Sequence, residues 1–452
     1  MAIPSVTERW SNRALYRLIW PLVLEQLLMV TMGAADTVMV SSVGEYAVSG
    51  VNVVDSINYF LVMVLIALST GGAVVVSQYI GRQDYAKASL ASKQLVYIVF
   101  IVSVILTILA LVFRAPILNV LYGRLDEEVM KAALIYFLIT ALSYPMMGLY
   151  NACAALYRSA GNSKAPMMVS LVTNILHVGL NALFIFVFRM GVPGVAVSTL
   201  LTRAAAGVAL YVKLLFDRRI SISLTGMLDF RFIPSMVRRI LNIGIPGGLE
   251  NSMFQMGRLL TQRIFPYFGT SIIAANAVAG VVNSLAFQTG NAFCVVIMIV
   301  AGQCIGAGDK EAAKRYTTKL VKVTWIVVSF ICINSIVFRN SLVSFFSLSP
   351  EAMKAASSFL LIHSISMLTA WTFSFAYPSA LRAAGDAKYI MIVGTVSMWT
   401  IRVCGAYLLS FTLGLGPVGV WIAMGLDFLN RGILFFLRWR GGKWEKLKVI
   451  SD

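Results

Sequence analysis

Ten ionisable side chains fall inside stretches that are otherwise apolar: the acids Glu25, Asp36, Asp55, Glu250 and Asp427, and the bases Arg203, Arg258, Arg263, Arg402 and Arg431. Near the middle of a membrane helix such a group costs about 2.5–3.5 kcal/mol on insertion scales, so it faces a cavity or a partner. Asp36 is the sharpest of them. Glu25, Met29, Met32 and Asp36 recur at helical spacing and share one face, and Pro21 removes a backbone hydrogen bond below them, which makes it a candidate hinge. A carboxylate beside a bendable segment in a low dielectric suits reversible proton uptake. Asp55, beside Asn52 and Asn58, reads equally as a polar helix contact or as part of a transport path. Asn174, His177 and Asn181 form a second stripe at i, i+3 and i+7; function and helix gluing weigh about equally there, and histidine, which titrates near neutral pH, can relay a proton. Glu250, Gln255 and Arg258 lie together on a later segment, where Glu250 either pairs or lines a path. Asp427 and Arg431, at i and i+4, read as a structural ion pair, and the isolated His363 reads as structural.

No enzyme chemistry emerges. HExxH, GxxxxGK[ST] and CxxC are absent, and two His with no His/Cys cluster give no firm metal site. Without a nucleotide site, and with no cofactor implied, work on a solute would have to be driven by an ion gradient, H+ or Na+. The five Cys, an odd number scattered through apolar runs, read as small core residues rather than disulfides.

The elements that must carry these residues follow from composition. Of 452 residues, 59% are hydrophobic and 12% charged, which leaves too little polar surface for a water-soluble globule. The net charge of +18 lies between long apolar runs rather than on one basic face, which argues against nucleic acid and for a polytopic membrane protein. Since a crossing needs about 20 apolar residues, the charge and Gly/Pro punctuation gives an all-α chain of twelve spans. They fall near 14–40, 47–78, 89–113, 130–157, 165–188, 193–216, 238–266, 271–303, 317–338, 353–381, 387–412 and 417–438. With the N-terminus, even-numbered loops and C-terminus on one side, that side collects 26 Lys/Arg against six on the other, so both termini are expected in the cytoplasm.

The chain also aligns with itself. At a shift of 225, Pro21-x-x-Leu24-Glu25 meets Pro246-x-x-Leu249-Glu250, and Gln78-x-Ile80-Gly81-x-x-Asp84 meets Gln303-x-Ile305-Gly306-x-x-Asp309. At 224, Arg158-x-Ala160-Gly161-x-x-Lys164 meets Arg382-x-Ala384-Gly385-x-x-Lys388; Gly194-Val195 meets Gly419-Val420 at 225. Two pseudo-symmetric six-helix bundles follow, 1–216 and 238–452, joined by the basic loop 217–237. Their even span number gives them one orientation, a plan used by transporters that rock two bundles about a central site.

Several segments resemble the multidrug and toxic compound extrusion (MATE) transporters: Pro21 and Glu25; Ala35-Asp36-Thr37-Val38-Met39-Val40; Val43-Gly44-Glu45; Gln78 through Asp84; Arg158 through Asn162; and Gly191-x-x-Gly194-Val195-Ala196-Val197-Ser198-Thr199. The similarity spans essentially the whole chain. It implies a V-shaped pair of six-helix lobes in the bacterial inner membrane, acting as a monomer among membrane lipids and exporting amphiphilic organic cations against inward H+ or Na+. In one branch of the family the key acid follows a Pro by fifteen residues, as Asp36 follows Pro21, and works with an Asn and an Asp on the fifth helix. His177 and Asn181 stand at those places here, so the second carboxylate is missing, which favours H+ over a tightly held Na+ near Asp36. Another branch uses a Glu on the seventh helix and an Asp on the tenth; those places fall near Gln255 and Trp371, with Glu250 a turn away as a substitute. The alternative within the wider superfamily is a flippase for lipid-linked saccharides or anionic lipids, which the four Arg embedded in the second half favour.

Overall fold

The computed structural model describes residues 10–123, 125–227, 231–346 and 348–450. No strand occurs among them, and the all-α reading holds. Two compact units divide the chain: one is Tyr16–Gly248, the other Leu249–Asp452 with the described residues before Tyr16. The division falls within a helix, Pro234–Gln262, later than the loop 217–237. The reason is local packing: a Cβ on Gly71 would stand 2.6 Å from the carbonyl oxygen of Ile240, so the start of that helix lies backbone to backbone against the first unit.

In the first unit the helices are α1 (Asn12–Ser41), α2 (Glu45–Gly81), α3 (Tyr85–Tyr122), α4 (Glu127–Ala141), α5 (Tyr144–Ser159), α6 (Lys164–Ala182) and α7 (Val192–Phe216). The fourth expected span is broken: α4 and α5 meet at 49°, where Leu142 and Ser143 interrupt the helix and Pro145 opens the next one. Core packing centres on Val40, Val51, Val54, Phe137, Tyr144 and Val195, drawn from α1, α2, α4, α5 and α7. Outward faces stay apolar, as Ile105, Ile108, Leu109 and Val112 do on α3, which is what lipid as the solvent requires.

The second unit continues with α8 (Pro234–Gln262), α9 (Thr270–Gly306), α10 (Lys310–Val337), the short α11 (Arg339–Ser344), α12 (Pro350–Ser366), α13 (Thr372–Ala383), α14 (Ala387–Ser397) and, after a mostly π-helical stretch, a final helix Val418–Arg440. Among the described residues ten helices are long and apolar enough to cross a membrane, and the bent α4–α5 pair makes an eleventh. α8 has 29 residues, length enough to be the twelfth, but Arg238, Arg239, Glu250 and Arg258 make it the most polar candidate.

The duplicated motifs turn out to be helix corners. After α2, Gln83 takes a positive φ of 65°, the Asp84 N–H bonds the Tyr79 carbonyl, and the Asp84 carboxylate caps α3 by accepting from Lys87 N at 3.0 Å. Gly308 and Asp309 repeat this between α9 and α10, with Asp309 accepting from Ala312 N at 2.8 Å. Gly161 (φ 84°) and Gly385 (φ 91°) close the other repeated corner. A left-handed residue turns one helix into the next at each corner, joined at the Asp84 and Asp309 corners by a capping acid.

Candidate functional site

Asp36 lies on α1 one and a half turns before its end. Across from it, α6 presents His177 and Asn181 one turn apart, both buried. The three meet: His177 Nε2 stands 2.9 Å from Asp36 Oδ1, Asn181 Nδ2 donates to the same oxygen at 2.9 Å, and Asn181 Nδ2 is 3.2 Å from His177 Nε2. Asp36 keeps 36% of its side chain exposed against 9% for His177, so the acid is the group that opens to the outside of the cluster. Asn174, the remaining member of the α6 stripe, makes no hydrogen bond through its buried Nδ2.

Behind His177 stands α7. His177 Nδ1 is 3.0 Å from Thr202 Oγ1, and the Thr202 hydroxyl lies 2.8 Å from the Ser198 carbonyl; Ser198 Oγ is 3.4 Å from Nδ1. A hydroxyl has one proton. With that proton given to the Ser198 carbonyl, Thr202 accepts from Nδ1–H, which leaves Nε2 facing Asp36. Thr202 was not singled out in the sequence, and Ser198 entered only within the Gly191–Thr199 resemblance. The i,i+4 spacing of two hydroxyls within an apolar helix was the available signal.

The other sequence candidates are dispersed. Glu25 is buried and bound to Arg158 Nη2 at 2.6 Å and to the Tyr150 hydroxyl at 3.1 Å, so in this structure it anchors α1 to α5. Glu250 repeats the pair in the second unit, with Arg382 Nη2 at 2.6 Å. Asp55 accepts from Tyr136 at 3.2 Å and Asn58 at 3.4 Å, in a network that continues from Asn58 to Thr140 and Tyr144. Met29 is exposed, Met32 and Gln255 are half-buried, and Arg258 is exposed on α8. Pro21 is buried inside a continuous α1. Trp371, at the place that the resemblance gives to a tenth-helix acid, is fully buried and stacked on Phe375 at 4.9 Å. His363 is buried with its ring edge-on to Trp421. No group of three or more His, Cys, Asp or Glu among the described residues could hold a metal ion.

The acid–imidazole–hydroxyl chain on α1, α6 and α7 is therefore the candidate site. Comparisons with known proteins agree with the architecture around it. The MatE family model matches residues 21–183 and again 246–408, the same 225-residue shift that relates the two halves. A probable multidrug resistance protein NorM of Thermotoga maritima is 28% identical, over 97% of this chain and 94% of that one. The uncharacterized transporter YisQ of Bacillus subtilis is 27% identical, over 95% and 94%. Among solved structures, MATE in the bent conformation superposes with a TM-score of 0.88 at 18% identity, over 95% of both chains. An outward-facing multidrug resistance MATE family transporter gives 0.88 at 18%, over 96% of this chain and 97% of that one. With both halves matched and the likeness running end to end, the chain belongs to the MatE family of multi-pass membrane transporters.

Proposed function

We propose that the chain is a proton-coupled antiporter that exports amphiphilic organic cations by alternating access, with Asp36 as the exchanging acid. The observation that carries this reading is the single shared position between Asp36 Oδ1 and His177 Nε2, 2.9 Å apart, backed by Asn181 and Thr202. In one state the proton sits on Nε2, the imidazole is cationic, and the carboxylate accepts from both His177 and Asn181. In the other, the proton is on Asp36, the pair is neutral, and the carboxyl donates to Nε2. Release of that proton leaves a carboxylate able to attract a cationic solute. Protonation removes that attraction, and repeated binding and release couple the two fluxes. Pro21 supplies the point at which α1 can bend as this charge changes. An imidazole nitrogen in the position of an oxygen ligand argues for H+ over Na+, since hard cations are held by oxygens. The relatives named as probable multidrug resistance proteins support drug or toxin export. The charge bias in the loops supports an inner-membrane protein with both termini cytoplasmic, and the presence of both units on one chain supports a working monomer.

The test uses proteoliposomes loaded with ethidium under an imposed pH gradient and, separately, a sodium gradient. The expected result is efflux driven by the pH gradient alone and lost in Asp36→Asn. Sodium-driven efflux, or pH-driven efflux that survives Asp36→Asn, would overturn the reading.

A further inference from the structure

The second unit contains a positive charge that the chain does not balance. Arg402 and Arg431 are buried, 8% and 3% exposed, around the fully buried Asp427. Neither guanidinium makes a hydrogen bond to it: Arg431 Nε is 3.4 Å from Oδ1 and Arg402 Nη1 is 3.8 Å from Oδ2, while Oδ1 accepts from Ser397 at 2.7 Å. Arg402 Nη1, Arg431 Nε and Nη2, and Asp427 Oδ2 are all left without a hydrogen bond. Aromatic faces surround the two cations: Phe254 and Phe428 lie 5.2 and 5.7 Å from Arg402, and Phe254, Phe375 and Phe428 lie 5.5, 5.1 and 5.8 Å from Arg431. Arg258 adds a third positive charge within electrostatic reach of Arg402.

The internal repeat shows how this cluster relates to the Asp36 centre. At the 225-residue shift Asp36 corresponds to Thr261, His177 to Arg402 and Thr202 to Asp427. The shift is 224 at Arg382 and 225 by Leu408; the extra residue falls in the π-helical segment Met398–Cys404, which contains Arg402. A π-turn inserts one residue and re-aims its neighbours. The first unit thus has an acid opposed to a titratable imidazole, and the second has guanidiniums, which do not deprotonate in proteins. The second cluster carries two guanidiniums against one carboxylate.

A buried guanidinium with unmade hydrogen bonds is costly, and its planar fork of N–H donors matches the two oxygens of a carboxylate or phosphate. We propose that the Arg402–Asp427–Arg431 cluster is a binding site for one oxyanion, a carboxylate or phosphate monoester, carried on an amphiphile whose apolar part lies against Phe254, Phe375 and Phe428. The site is separate from the proton exchange assigned to Asp36. It gives the transporter a means of holding an anionic group that the first unit lacks.

The test is equilibrium binding of radiolabelled dodecyl phosphate to the full chain in phosphatidylcholine nanodiscs, with no gradient. Saturable one-site binding is expected, weakened about tenfold or more in Arg402→Gln and in Arg431→Gln, each of which removes a charge-assisted contact. Asp427→Asn should bind more tightly, because it removes the competing carboxylate; this gain keeps the proposal testable if an Arg variant fails to fold. Asp36→Asn should bind as wild type does, which separates this site from the antiport reading. Competition by phosphatidic acid, the lipid that carries a phosphate monoester, included in the nanodisc would assign the site to a lipid headgroup; binding unaffected by it would assign the site to a free amphiphilic anion. Absence of saturable wild-type binding, binding retained in both Arg variants, or weaker binding in Asp427→Asn would overturn the proposal.

Discussion

Thr202 touches no solute in this arrangement; its effect passes through His177. Its hydroxyl sits 3.0 Å from Nδ1 and steadies the ring when both nitrogens carry protons. Thr202→Val removes that acceptor, so ethidium efflux driven by a pH gradient should fall, and Thr202→Ser, which keeps the hydroxyl, should restore it. The two repeated ion pairs make a second test. Removing one partner of a buried pair strands the other, at a cost of about 3–5 kcal/mol when both are fully buried. Glu25 is 3% exposed and also holds Tyr150, whereas Glu250 is 16% exposed and faces an Arg382 that is 21% exposed. Thermal unfolding in detergent should therefore show Glu25→Gln as the more destabilising change, at about 3 kcal/mol, with Glu250→Gln at about half of that because solvent screens the pair it breaks.

Helices were legible because an apolar run of membrane length is a strong signal; α2 and α9, each 37 residues, end where the repeated Gln-x-Ile-Gly motif places the corner. The break between α4 and α5 was not legible, since Tyr144-Pro145 sits in an uninterrupted apolar stretch and only the packed structure shows a 49° bend. The same holds for the site. An acid with a proline fifteen residues before it, and a His/Asn stripe at helical spacing, stand out against apolar background. Thr202 and Ser198 do not, because hydroxyls in membrane helices commonly return their protons to their own backbone, and their i,i+4 spacing, the one signal available, does not say that the pair faces a histidine. Close helix contact is likewise invisible until the partner is known. A Cβ on Gly290 of α9 would fall 2.1 Å from Cη2 of the fully buried Trp371. Gly290→Ala should therefore force that indole to move and cost about 1–3 kcal/mol, as overpacked cores do. Gly280→Ala on the same helix, with open space around its Cα, should leave the melting temperature essentially unchanged. Equal melting temperatures for the two variants would mean that Trp371 is not packed as described.

At the scale of the whole chain, duplication fixed the corners and left the two charge clusters free to diverge. One half retains an acid with a titratable partner, the other carries excess guanidinium, and the repeated Glu–Arg pairs survive in both. With an even number of spans expected in each half, both halves take the same orientation and one distribution of loop charge would govern the topology: 26 Lys/Arg on one side and six on the other. The bias acts through short loops near the ends of spans, where moving a basic cluster across the membrane is most costly. The segment containing Arg339 and Lys354 is expected on the poor side, and the Lys443–Lys448 segment on the rich side. In a chain whose five Cys are replaced, a single Cys at the exposed position Ser341 should react with a membrane-impermeant maleimide in intact cells. A Cys at the exposed position Lys443 should react only once the cells are permeabilised. The reverse pattern would invert the protein; labelling of both positions from outside would require an even number of crossings between them, against the three spans expected there.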